Sequence, residues 1–588
     1  MAYEEQVWAN GAPGNTPLAA SALNHMEAGI DAAHDAIEVV QVQANATQSA
    51  LNLTDVAVES LDGRLNVVED ALPPIQSDIT SLEGQVSDLS GALDTFKESV
   101  SLADFASEDV LNGTVDAGAA MQAWISALNA QGGGKGTVPQ GSQLWFDGST
   151  VVFLVDNIEL DLRGSRIFKT DGTGSYCIFV GMSDGVGYGA GPSNVVIKNG
   201  IFEGNLQTGG TLCVLSAHHM QNVTIENCEM YACTVSGHTF DLAACDNVIF
   251  RNCRWYGSKP WAAGDPGRPE TIELDQSLNG ALSYTDVAGT HDGLLCKNVT
   301  VEDCMFLPYD DGTTVWPAPN PLGAHGQREG QYYENITVRN VTVIDPMNDD
   351  TGGTATGADN VAIRGLIHFP TVKDLHISNM KVHCSTPRTA RVVMVQARST
   401  GTLASGDPNT STASGAWAEP QPSKNITIKG LVVTGMTNAG SNTNPIVNIM
   451  GVTGCPVENV EIEMSLDGGY KEAVLLYKVN DARVNFVRCK DTESGARLVE
   501  CRYVQVQGNF HEVDLPVRID NSAYINVGPC TDLKTEQSNA FCIITNSSTN
   551  VTCSNIVAPN RTWLYGASGA ERKPGSHAQS AILGPAVS

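Results

Sequence analysis

The chain is short of basic charge, of aromatic residues and of long apolar runs. Its 588 residues carry 34 Lys and Arg against 65 Asp and Glu, a net charge of −31. A surface of that sign repels nucleic acid and anionic membranes, so neither is expected as a partner. There is no run of about 18 apolar residues to span a bilayer, and the opening Met1-Ala-Tyr-Glu-Glu-Gln6 has no basic region followed by an apolar stretch. We therefore expect neither membrane insertion nor N-terminal export. The 15 cysteines are odd in number, irregularly spaced and without a CxxC pair, which argues against a full disulfide framework and a zinc site and suits folding in a reducing cytoplasm. No phosphate-binding loop or dinucleotide fingerprint occurs. No resident cofactor or metal is expected, although so acidic a surface suits Ca²⁺.

What the chain has in quantity is one short strand, repeated. It reads Asn194-Val-Val-Ile-Lys-Asn199, Asn222-Val-Thr-Ile-Glu-Asn227, Asn247-Val-Ile-Phe-Arg-Asn252, Asn298-Val-Thr-Val-Glu-Asp303, Asn335-Ile-Thr-Val-Arg-Asn340, Asp374-Leu-His-Ile-Ser-Asn379 and Asn425-Ile-Thr-Ile-Lys-Gly430. Alternation sends Val223 and Ile225 to one face and Thr224 and Glu226 to the other. One such rung cannot bury its apolar side alone, so copies must stack, and rungs of roughly 20 to 30 residues indicate a parallel β-helix. Asn suits the turns because it tolerates left-handed backbone; the many Asn-x-Thr sequences are read as turns, not glycan sites. Asn227 resets the alternation, so Cys228, Cys253 and Cys304 are expected to stack in the core as small apolar residues.

A second pattern precedes the rungs. Apolar residues fall at Leu61, Leu65, Val68, Leu72, Ile75, Ile79, Leu82, Val86, Leu89, Leu93, Phe96 and Val100, in alternating steps of four and three. The frame runs back with smaller residues through Leu51, Val40, Ile37, Ile30 and Met26. This is a coiled-coil seam; its a and d positions mix Leu, Ile and Val, which departs from the dimer rule and points to a homotrimer. Pro73-Pro74 reads as a local kink in an unshifted frame.

Two resemblances attach to these segments. Trp8, Gly11, Gly14, Thr16-Pro17-Leu18 and Leu23-Asn-His-Met-Glu-Ala-Gly-Ile30 resemble the N-terminal segment of minor tail proteins of bacteriophages with long tails. Ser101-Leu-Ala-Asp-Phe-Ala106, an amphipathic helix over Ala117 to Ala130 and the Gly-rich Gln131-Gly-Gly-Gly-Lys-Gly136 resemble the opening of the pectate-lyase-like right-handed β-helix superfamily, where a helix caps the first coil. The Gly-Asp-Gly stretch usual there is replaced by Glu108-Asp-Val-Leu-Asn-Gly113. The expected architecture is all-β: a right-handed parallel β-helix preceded by an N-terminal α-helical coiled coil. Its parts are a tail-attachment segment at 1–24, the stem at 25–100, a cap at 101–141, the β-helix at 142–555 with binding loops at 254–425, and a tail at 556–588.

The sharpest chemistry lies in Glu270-Thr-Ile-Glu273-Leu-Asp275-Gln-Ser277. As a strand this puts Glu273 and Asp275 on the outer face about 6.6 Å apart, a spacing at which two carboxylates bracket a water and a glycosidic bond, the inverting arrangement. The plain alternatives are a solvated acidic face or a cation site. Stacking also brings neighbouring rungs within about 4.8 Å, so His219, Asp241 and the two acids are expected along one groove. The run through Phe240-Asp-Leu-Ala-Ala-Cys245, Glu270 to Asp275, Gly323-Ala-His325 and Ala362-Ile-Arg364 resembles phage tail β-helices and polygalacturonase-like glycoside hydrolases. That resemblance implies catalytic roles among Asp241, Glu270, Glu273, Asp275, His238 and His325, assisted by Arg364. The family's Asn-Thr-Asp and Gly-His-Gly signatures are absent. Loop aromatics Trp255, Tyr256, Trp261 and Trp316, with Tyr332, Tyr333 and Trp417, offer flat faces for sugar rings. The expectation is a virion tail protein, made in the host bacterial cytoplasm, that binds a bacterial surface polysaccharide and cleaves it by hydrolysis. A receptor-binding fibre without catalysis and a polysaccharide lyase are the alternatives.

Overall fold

The computed structural model describes most of residues 99–558, with parts of 29–51 and short strands at 564–566 and 581–583. The attachment segment 1–24, the heptad stretch 52–98 with Pro73-Pro74, and Trp261, His325, Arg364 and Trp417 lie outside the described residues. The chain divides into two units, 1–95 and 96–588. In the first, residues 35–48 are helical, and Ile37, Val39, Val40 and Val42 are exposed in the single chain.

The second unit is a stack of parallel rungs. One sheet contains 14 strands and a second group 26. The repeated Asn strands pair in strict register: Val223 faces Val248, then Val299, Ile336, Leu375, Ile426 and Val460. All of these are buried, and each fully buried aliphatic contributes about 1.5–3 kcal/mol. Cys228, Cys253 and Cys304 sit in this core, fully buried beside one another, and all 15 cysteines are free. Asn227, at φ 54°, is the turn that brings Cys228 inward.

The rung-starting Asn residues do more than turn the chain. Asn194, Asn222, Asn247, Asn298, Asn335, Asn425 and Asn459 all adopt φ between 55° and 59°. Their amides bond between rungs, each Nδ2 donating to the Oδ1 below: Asn194 to Asn157, Asn222 to Asn194 and Asn247 to Asn222, all at 2.8 Å. Tyr503 and Tyr524 take the equivalent turn positions further along and stack at 4.9 Å, largely exposed.

Helix α1, Gly118–Ala130, closes the N-terminal end. It buries Met121, Trp124, Ile125 and Leu128, and Trp124 Nε1 donates to Val100 O at 2.9 Å. Gly136 makes room for it, since a Cβ there would lie 2.3 Å from the Trp124 ring. This covers apolar core and strand ends that an open solenoid would expose. Past residue 555, Ile556–Val557 still pairs with the preceding rung and Leu564–Gly566 extends the 14-stranded sheet.

Candidate functional site: an outward acidic column

The 14-stranded sheet carries the candidate site. Its relevant strands are β1 (Leu212–His218), β2 (Phe240–Ala243), β3 (Glu270–Asp275), β4 (Asn320–Ala324) and β5 (Ile367–Phe369). Phe240, Ile272, Leu274 and Leu322 point to the core and fix the phase, sending the intervening residues outward. The register places Ser216, Asp241, Glu273, Gly323 and His368 in one outward column. Asp241 and Glu273 are therefore direct neighbours across rungs, about 4.8 Å apart along the axis.

Around that pair the side chains converge. His238 Nε2 lies 2.6 Å from Glu273 Oε2 and its Nδ1 2.9 Å from the carbonyl oxygen of Glu270. Glu270 reaches both histidines, with Oε1 3.8 Å from His238 and Oε2 3.5 Å from His368 Nε2. His368 is oriented by Nδ1 at 3.0 Å from Gly365 O. Its ring lies over Gly323, where a Cβ would come 2.2 Å from the imidazole. Burial opposes a charge on His238, but Glu273, Glu270 and Asp241 outweigh it and hold the imidazole well above its ordinary pKa. Asp241, Glu270 and Glu273 are 1%, 0% and 4% exposed, whereas the His238 side chain retains 17%, so its edge is the approach.

Glu270, Glu273 and His238 also place one ligand atom each within 4.8 Å of one another. One nitrogen and two carboxylate oxygens suit a transition divalent ion better than Ca²⁺, which takes oxygen donors.

Other expected residues lie elsewhere. Asp275 is outward on β3, but its Oδ1 accepts from Gln276 N at 2.7 Å, and the acid beside Glu273 in register is Asp241. His219 does not line the groove. It is fully buried at a turn with φ 54°, its Nδ1 3.1 Å from Ser183 Oγ and its Nε2 3.1 Å from Asp292 Oδ1. His218 stacks between His219 and His291 and meets Ser277 Oγ at 2.8 Å. Burial, then the two neighbouring imidazoles, push His218 down to about 3. Trp255 is a core residue at 1% exposure, stacked on Phe306 at 4.6 Å. Trp316 is buried against Tyr309 and Ala232, and Tyr256 stacks on Tyr231 at 4.3 Å. Trp255 follows an inward strand position and Trp316 closes a hairpin, which spacing within an insertion does not reveal. His368 was missed, although its outward place in Ile367-His-Phe369 follows from alternation.

No family model and no curated protein matches the chain. Solved structures do. A surface adhesin of Streptococcus pneumoniae, PfbA, is similar at 16% identity and TM-score 0.49, covering 74% of this chain and 100% of its own. A tailspike protein mutant of E. coli bacteriophage HK620, in complex with pentasaccharide, is similar at 14% identity and TM-score 0.44, with 81% of each chain covered. The A-module of the Azotobacter vinelandii mannuronan C-5 epimerase AlgE6 shares 15% identity at TM-score 0.35, covering 80% and 99%.

Proposed function

We propose that the protein is a trimeric phage tail protein, held to the virion by its N-terminal segment, that binds and hydrolyses a bacterial surface polysaccharide. The observation that carries the reading is Asp241 and Glu273, in register on adjacent rungs, with His238, Glu270 and His368 around them. Glu273, held by His238, takes a proton from a water whose oxygen attacks the anomeric carbon as the glycosidic bond breaks. Asp241 gives its proton to the leaving glycosidic oxygen. The substrate enters past His238, whose side chain keeps 17% of its surface. The exposed apolar residues of the helical 35–48 segment support an oligomeric stem.

The near-complete burial of all three acids favours a second reading, a receptor-binding fibre that only grips glycan. The lyase alternative draws little support from Asp310 and Asp311, whose carboxylates accept turn amides of Gly312, Thr313 and Thr314 at 2.7–2.9 Å. The deciding experiment incubates the full chain with capsule and cell-wall polysaccharides and follows reducing ends and the ultraviolet absorbance of unsaturated uronates. Reducing ends without absorbance support hydrolysis; absorbance means a lyase, and glycan binding without either product means a fibre.

A further inference from the structure

The cysteines are not all placed alike. Cys228, Cys253 and Cys304 lie inside the main core. Cys177 and Cys213 stand apart from it, in a small apolar cluster with Val180 that is covered by the partly buried side chains of Val151, Phe153 and Tyr284. Phe153 and Tyr284 meet edge to face over it at 5.9 Å.

The two thiols belong to neighbouring rungs. Cys177, on the strand Tyr176–Gly181, faces Cys213 of β1 in register, which sets their Cα atoms about 4.8 Å apart. That separation falls within the range a disulfide spans. The Sγ atoms are already 3.5 Å apart, and Cys177 Sγ lies 3.0 Å from Phe179 O. Bonding distance requires the sulfurs to close by about 1.5 Å, a displacement within reach of side-chain rotation while both strands stay paired. Cys177 is 4% exposed and Cys213 1%, so a reagent meets Cys177 first. The same two strands begin the outward column, since Val180 faces Ser216 and Ser216 faces Asp241.

We infer that Cys177 and Cys213 form a covalent modification site: a dithiol that a low-molecular-weight disulfide oxidises to a disulfide between rungs. The Cys177 thiolate attacks one sulfur of the reagent, which forms a mixed disulfide and releases one reagent thiolate. The Cys213 thiolate then attacks the Cys177 sulfur and expels the second. Two protein S–H bonds and one reagent S–S bond are exchanged for one protein S–S bond and two reagent thiols. In a reducing cytoplasm the pair stays a dithiol, and the bond forms once the folded chain meets oxidising surroundings. It ties positions 36 apart in sequence, which constrains the unfolded chain and so stabilises the folded one. The inference does not depend on the polysaccharide reading.

The test keeps the full chain native. Protein purified under reductant is freed of it, incubated with oxidised glutathione, blocked with N-ethylmaleimide and digested without reduction. Mass spectrometry is expected to find Cys177 linked to Cys213, with the thiols counted after unfolding reduced by two from 15. The oxidised chain is expected to melt about 3 °C above the reduced one. Cys213→Ala removes both the link and the shift and leaves Cys177 as a glutathione adduct. The pairing is overturned by any of four results: no link after native incubation, a link from either cysteine to a third, a wild-type Cys177 adduct that never resolves, or equal melting temperatures in the two states. Mapping needs only the wild-type chain, so it decides even where Cys213→Ala misfolds. Reducing-end release is read separately, and its loss leaves the pairing intact.

Discussion

The two groups of strands that build the solenoid differ in kind. The Asn-bearing rungs repeat one pattern from Asn194 to Asn459, with aliphatics inward and an amide ladder at each turn. Along the 14-stranded sheet the outward position changes at every step, from Ser216 to Asp241, Glu273, Gly323 and His368. Repetition builds a scaffold whose side chains are interchangeable between rungs. Variation at a fixed register position builds chemistry on it, because each residue there has neighbours that no other rung reproduces.

That contrast can be broken deliberately. The largest effect is expected at the varied column: Glu273→Gln and Asp241→Asn each lower hydrolysis by about a thousandfold or more, with thermal unfolding little changed. In the repeated sheet the sign reverses. Ile225→Ala, in the stacked core, costs about 2–5 kcal/mol in denaturant unfolding of the folded chain and leaves turnover per folded molecule unaltered.

Smaller effects sharpen the distinction. Asn222 donates to Asn194 and accepts from Asn247 at φ 57°, so Asn222→Ala loses ladder bonds and strains the turn by about 2 kcal/mol, again without effect on turnover. Gly323→Ala places a methyl where the His368 ring lies and turns that ring from Glu270. The expected result is about a tenfold fall in kcat together with a loss of about 1–3 kcal/mol in stability.

The buried histidines give a pH signature. His218 is held neutral when folded, about 3 against an ordinary 6.5. The unfolded chain therefore binds a proton that the folded chain refuses as pH falls from 6.5 towards 3. Stability from this group is present above 6.5 and is lost on acidification, by an amount on the order of a few kcal/mol. His238 runs the other way: its raised pKa gives stability that is complete below 6.5 and is lost as pH rises through the folded value. Melting temperature is expected to drop below neutrality in wild type and less so in His218→Gln.

Much of the scaffold was legible because its signal is periodic. The alternation in Asn222 to Asn227, the Cys228–Cys253–Cys304 stack and the helix Gly118–Ala130 follow from local rules. The seam at 52–98 lies outside the described residues. The site was legible in membership more than in pairing. Glu270, Glu273, Asp241 and His238 all stood out as residues, but sequence spacing gives distances along one strand. It does not show that Asp241 and Glu273, 32 positions apart with residues 260–269 between their strands, face each other in register. The same blindness placed Trp255 and His219 at a ligand face, when inward phase and a buried Ser–His–Asp network hold them.

The most direct measurement compares reducing-end release from a cleaved polysaccharide by wild type, Asp241→Asn, Glu273→Gln and Asp275→Asn. The account predicts that the first two substitutions abolish release and that Asp275→Asn, outside the cross-rung pair, retains most of it. Activity that survives Asp241→Asn but is lost in Asp275→Asn would contradict it, and would place the working acids along one strand instead of across two rungs.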